Sequence, residues 1–219
     1  MLGWVWVVLA AVLGGLTAGW LRQRRYRRAD DEVVRTLGPW WVPVLTVLAA
    51  AAAVAVSALN AFPVVVQATY LLALVWAVLL AVIDLEVLRL PDGLVLRAYP
   101  VVAVLLAGCS LATGDGAALL RALACAGGGV VFFLVTALLS PRSQGLGLGD
   151  VKLAGVLGAL LGWLGWTEAL VGLLGGFVLG GLAAGVLLVL RRVDRSGSIP
   201  LGPAMLGAAY LTCLVAPLG

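Results

Sequence analysis

Histidine is absent from this 219-residue chain. With it go the commonest general base near neutral pH and the commonest metal ligand. The three cysteines, Cys109, Cys125 and Cys213, stand singly inside apolar runs, and no C-x-x-C pair suggests zinc or redox chemistry. They read as small core residues. Charge is scarce too: charged residues make up 11% of the chain against 63% hydrophobic ones, and the mean hydropathy is +1.17. A water-soluble domain of this length has no use for so much apolar surface, so lipid is the solvent. Long polar stretches are also missing, which argues against a sizeable soluble domain and leaves one integral membrane domain over 1–219. Serine–histidine, cysteine–histidine and zinc hydrolysis are therefore unsupported. If the chain is a hydrolase, carboxylates are the groups left to do the work.

What is present is a series of apolar runs separated by short polar turns. Residues 2–20 are long enough to span a bilayer, and the positive charge follows them, at Arg22, Arg24, Arg25, Arg27 and Arg28. A cleaved signal peptide carries its charge before the run, so this is a first transmembrane helix that starts outside and ends in the cytoplasm. Asp30, Asp31 and Glu32 continue a solvated loop. The net charge of +4 lies in such short runs. It reads as orientation signals and contacts with anionic lipid headgroups rather than as a nucleic-acid surface.

A second span, 40–59, leads to a turn at Asn60 and Pro63, and a third runs from Pro63 to Ile83 and ends in IDLEVLRLPDGL. The fourth covers 94–113, with Arg97 placed to snorkel, and a turn at Thr113-Gly114-Asp115-Gly116 opens the fifth. That fifth span, 117–140, is broken by Gly127-Gly128-Gly129, a sign of close helix packing. The sixth, 151–165, is short and glycine-rich, which suits a tilted or sheltered helix. Glu168 opens the seventh, which ends at Arg191 and Arg192, and the last runs from Ile199 to Pro217. The expected fold is all-α and polytopic, with about eight transmembrane helices and both termini outside. Alternation then puts Arg89, Arg97, Arg142, Lys152, Arg191, Arg192 and Arg195 on the cytoplasmic side, with only Arg121 near the outer face.

The stretch Gly145-Leu146-Gly147-Leu148-Gly149-Asp150-Val151-Lys152 puts a carboxylate after three alternating glycines, between two apolar runs. An acid at the edge of a lipid-facing segment is costly unless it is used. Gly147 and Gly149 bare the backbone beside it, so another chain can come close, as an extended segment docking strand-like would. The plain alternative is a tight loop with Asp150 capping the next helix. Alternation puts the Asp84–Asp92 stretch on the same face. Two carboxylates brought close share a proton: one activates water while the other protonates the carbonyl oxygen or leaving amine. Their titration then belongs to the pair. Spacing leaves both Asp84 and Asp92 open as the partner; Asp84 is nearer the membrane, and Asp92 also reads as a turn former or cap. Lys152 biases the local field, meets lipid headgroups, or simply obeys the positive-inside rule.

G-L-G-D at 147–150 with Val151-Lys152-Leu153 resembles the G-x-G-D motif of type IV prepilin peptidases, membrane aspartyl proteases related in mechanism to preflagellin peptidases and presenilins. IDLEVLRLPDGLVL is similar to that family's first acidic motif, and Ile199-Pro200-Leu201-Gly202-Pro203 resembles a segment near its last helix. The resemblance runs from the third span onward. It implies that Asp84 and Asp150 are the catalytic pair and that Gly147, Gly149, Asp92 and Lys152 shape the site. It also implies an inner-membrane endopeptidase, without cofactor or metal, that removes the short basic leader of prepilin or pseudopilin substrates at the cytoplasmic face. Many bacterial members carry an insert after the first helix, with paired cysteines that bind zinc, and often methylate the new N-terminus. Here that region is a short arginine-rich loop without cysteine, which points to cutting alone. The rival is a small transporter or channel, which calls for acids deeper in the spans and an internal repeat; neither is present. No feature assigns an oligomeric state.

Overall fold

A computed structural model of the chain describes residues 2–24, 26–27, 38–59, 63–139, 147–189 and 201–216. The described residues form eight α-helices and no strand: α1 (Leu2–Arg22), α2 (Trp41–Leu59), α3 (Val64–Val87), α4 (Asp92–Thr113), α5 (Gly116–Leu139), α6 (Leu148–Leu164), α7 (Trp166–Val189) and α8 (Gly202–Val215). In lipid the backbone must satisfy its own hydrogen bonds, so long Leu, Val and Ala runs become helices. Gly3–Arg22, Val64–Val87, Asp92–Thr113, Gly116–Leu139 and Trp166–Ala183 are long and apolar enough to cross a membrane, by length and composition. Trp41–Ser57 and Gly202–Val215 are apolar but shorter, and α6 has 17 residues. The protein is therefore an all-α, multi-pass membrane protein. Several sequence expectations fall outside the described residues: Arg25, Arg28, Asp30, Asp31, Glu32, Asn60, Arg142, Gly145, Leu146, Arg191, Arg192, Arg195, Ile199, Pro200 and Pro217.

The chain divides into two compact units, Met1–Val87 with Pro217–Gly219, and Leu88–Ala216. In the first, α1, α2 and α3 pack together around Trp6, Ala10, Ala50 and Leu71. α1 and α2 approach closely at Gly14, where a Cβ would stand 2.9 Å from the Cα of Pro43; small residues let helices meet this way in lipid. The buried hydroxyls of Thr46 and Thr69 donate to the carbonyls of Val42 and Val65, one turn back. α3 continues past Ile83, the end expected for the third span, to Val87. Nothing breaks it before Leu88 adopts the left-handed φ of 48°, so Asp84 and Glu86 belong to its last turn.

The second unit holds α4 to α8. Pro91 is the extended N-cap of α4, and its carbonyl accepts the amides of Leu94 and Val95. Gly114, at φ 73°, ends α4 in the left-handed region that glycine takes without strain. The Asp115 carboxylate then accepts the Ala118 amide at 2.9 Å and starts α5. α5 is not broken at Gly127-Gly128-Gly129; it runs through them. Among the three only Gly129 meets a neighbour closely, the Ala154 carbonyl, while Gly127 and Gly128 face open space.

α6 is the hub of this unit, packed by α4, α5, α7 and α8. Its buried residues, Val151, Leu153 to Gly158 and Leu160 to Trp163, cover every face, as expected of a helix apolar all round. Glycines make that possible: a Cβ at Gly162 would stand 3.2 Å from the Cα of Ala122 in α5. The short sixth segment is thus sheltered by its neighbours. Its far end is clamped by Arg121, whose guanidinium donates to the carbonyls of Gly162 and Trp163, both at 2.7 Å. Those are among the carbonyls a helix leaves unsatisfied at its C-terminus. The Trp163 indole donates to Ser110 at 2.9 Å.

Candidate active site

Asp84 sits in the last turn of α3, in the first unit, only 5% exposed. Two residues on, Glu86 is 2% exposed. The Tyr26 hydroxyl donates to Glu86 Oε2, and Arg27 Nη2 lies 3.0 Å from the same oxygen. Burial first, and then the Glu86 carboxylate, push the Tyr26 phenol up from its ordinary value, so Tyr26 keeps its proton and stays a donor. Tyr26 also stacks on Trp20 of α1, with centroids 5.8 Å apart. The sequence marks Arg27 as part of a charge run that orients the first helix; here it has a specific carboxylate partner.

Asp150 sits in the first turn of α6, in the second unit, ahead of the 151–165 span. Gly147 is the N-cap, in extended conformation and without a side-chain cap bond, and its carbonyl accepts the Asp150 amide at 3.0 Å. A Cβ at Gly147 would stand 3.3 Å from Asp150 Oδ2. Gly149 answers a tighter constraint: its Cβ would lie 3.1 Å from the Cβ of Leu90. Each glycine therefore clears space, one for the carboxylate and one for the segment that leads into α4. Burial pushes the Asp150 carboxyl up to about 6, although a backbone hydrogen bond from Gly147 pulls the other way. A helix N-terminus favours the anion, so desolvation wins here. The consequence is an acid that still holds its proton in a pH range where ordinary carboxylates have lost theirs.

Asp92 and Lys152 meet directly. Lys152 Nζ lies 2.6 Å from Asp92 Oδ1, with the side chains 33% and 55% exposed. Asp92 is in the first turn of α4, whose cap position is Pro91, and its carboxylate faces the Lys152 ammonium. A pair so exposed contributes about 0–1 kcal/mol, so its use is orientation. Tyr99 of α4 adds a second tie, its hydroxyl donating to the Lys152 carbonyl at 2.8 Å. Within the second unit the first turns of α6 are thus tied to the start of α4 by Gly149–Leu90, Lys152–Asp92 and Tyr99–Lys152.

Of the residues marked in the sequence, Asp150, Gly147, Gly149, Asp92 and Lys152 gather in the second unit, and Asp84 lies in the first. Sequence reasoning assigned no role to Tyr26, Glu86, Tyr99 or the Arg121 clamp. One available signal was electrostatic: the last turn of α3 holds acids and no base, against the helix dipole, which favours a cation nearby. Among the described residues no three of His, Cys, Asp and Glu gather into a group able to hold a metal ion.

Residues 71–216 match the type IV leader peptidase family. The chain is also similar to a prepilin leader peptidase/N-methyltransferase of Aeromonas hydrophila, 35% identical over 146 residues, which is 65% of this chain and 48% of that protein. The chain thus spans about half the length of the curated relative it matches. No solved structure matches it. The matched segment includes Asp84 and Asp150; Tyr26 and Arg27 precede it.

Proposed function

This chain belongs to the type IV leader peptidase family, and from that membership we propose that it is a membrane aspartic endopeptidase that cleaves the leader from prepilin-like proteins. Asp84 and Asp150 act on one peptide bond. Asp150, with its carboxyl up at about 6, supplies the proton to the carbonyl oxygen or leaving amine. Asp84 takes the proton from the attacking water. The water oxygen bonds to the carbonyl carbon, the C–N bond breaks, and the proton passes to the departing amine. Gly147 and Gly149 keep the backbone clear for an extended substrate segment, while Asp92 and Lys152 hold the first turns of α6 in register.

The site faces the cytoplasm of the inner membrane, both chain termini lie outside, and the two units serve this one activity, with the positive-inside pattern as support. The substrate is a prepilin or pseudopilin carrying a short basic leader. The proposed activity is leader cleavage; methyl transfer, part of the printed name of the Aeromonas hydrophila relative, is left outside the proposal. The transporter alternative has no support from the family match.

The observation that carries this reading is the family match over residues 71–216, a segment in which burial raises the Asp150 carboxyl to about 6. The test is purified protein mixed with a prepilin in detergent. A leader shortened by one discrete cut is the expected product; intact prepilin beside folded protein contradicts the reading.

A further inference from the structure

Glu86 and Asp84 stand two residues apart in the last turn of α3, where no basic residue accompanies them. The carbonyl end of a helix is its negative pole, so carboxylates there are disfavoured unless a cation stands by. Glu86 is also almost fully buried, and a buried charge must be paired and hydrogen-bonded. The segment after α1 supplies both partners. Arg24 takes a left-handed φ of 52°, and the amides of Arg24 and Arg27 bond to the carbonyls of Leu21 and Arg24, both at 3.1 Å. This turn brings Tyr26 and Arg27 onto Glu86. Trp20 stacks on one side of Tyr26, and the Arg27 guanidinium lies 5.9 Å from the Tyr26 ring centroid, which keeps the pair of donors rigid.

We propose that Trp20, Tyr26 and Arg27 form a positioning hook that acts on Asp84 through Glu86. Residues two apart on a helix point about 200° away from each other. Gripping Glu86 therefore fixes the rotation of the last turn without occupying the side from which Asp84 works. Tyr26, Arg27 and Glu86 are positioning residues, and the hook lies outside the segment that matches the family. The proposal rests on the reading of Asp84 as catalytic.

The test uses the full chain, purified in detergent. Arg27→Gln, Glu86→Gln, their double variant, Arg27→Lys and Tyr26→Phe are compared with wild type for kcat and KM on a prepilin. Each Gln variant is expected to lower kcat on the order of 10-fold to 100-fold with KM unchanged, the size of effect that a small misplacement of a reacting group produces. The double variant should be no worse than the more damaging single one, because the partners form one contact. Arg27→Lys should recover most of the rate by keeping the charge. Tyr26→Phe keeps the stacked ring and loses only the hydroxyl, so it guards against misfolding; a fall of roughly 3-fold is expected. Unchanged kcat in the Gln variants, losses that multiply in the double, or losses carried by KM overturn the positioning role. A thermal-melting cycle of the same variants, read without substrate, should show non-additive shifts; additive shifts contradict the contact itself. Wild-type protein that leaves prepilin uncut contradicts the function proposed above and the positioning role with it. An active wild type with unaffected variants contradicts the positioning role alone.

Discussion

Asp84 and Asp150 stand at opposite kinds of helix end. Asp150 opens α6, where free amides and the dipole welcome a carboxylate; Asp84 closes α3, where the carbonyls oppose one. The ties around Asp150 run to α4 and the segment that leads into it, in its own unit: Gly149 to Leu90 and Lys152 to Asp92. The turn of Asp84 is tied instead to residues about sixty positions earlier, Tyr26 and Arg27 through Glu86. The function proposed above asks the two acids to perform complementary halves of one reaction, which calls for different environments, and the two helix ends differ in that way. One half relies on glycines that clear space. The other relies on a buried, charged contact that removes freedom of rotation.

The largest expected effect concerns that division of labour. Burial holds the Asp150 carboxyl up at about 6, above the ordinary carboxylate range. Because the folded-state value is raised, the acid form is present below about 6 and is lost as pH rises through it. The alkaline limb of kcat/KM should therefore fall about tenfold per pH unit above the apparent value of the pair. A profile flat between pH 5 and 8 removes Asp150 as the acid. Next in size is Gly149→Val, which drives methyl groups into Leu90; cleavage should drop at least tenfold and the protein should lose about 1–3 kcal/mol in detergent unfolding. Arg121→Met leaves the carbonyls of Gly162 and Trp163 without their donors. It should cost about 1–3 kcal/mol of stability while kcat at permissive temperature holds, which separates the far end of α6 from the end that carries Asp150. Smallest is Lys152→Gln. An ion pair this exposed is worth about 1 kcal/mol at most, so unfolding should move little, and a collapse of stability would mean that Lys152 supports more than its bond to Asp92.

The same contrast explains what could be read from the sequence. Asp150 is legible because its setting is local: glycines at 147 and 149, a carboxylate, and the apolar run of α6 follow one another in order. The helices are legible too, since a 63% hydrophobic composition and lipid's demand for internal hydrogen bonding leave few other conformations. The hook is not legible, because a run of arginines after a first span serves orientation in any membrane protein, and nothing in its spacing singles out Arg27. Likewise Arg121 looks like an exception to the charge rule until its guanidinium is found on the last carbonyls of α6. The glycine triplet of α5 misleads in the opposite direction. Only packing reveals that Gly129 meets Ala154 while its neighbours meet nothing.

The measurement that bears most directly on the catalytic pair is leader cleavage by Asp84→Asn and by Asp150→Asn, each purified from membranes beside wild type. Each carboxylate should contribute on the order of 10²- to 10⁴-fold, so both variants should insert normally and leave prepilin essentially uncut. Near wild-type processing by either one would contradict the pairing of Asp84 with Asp150.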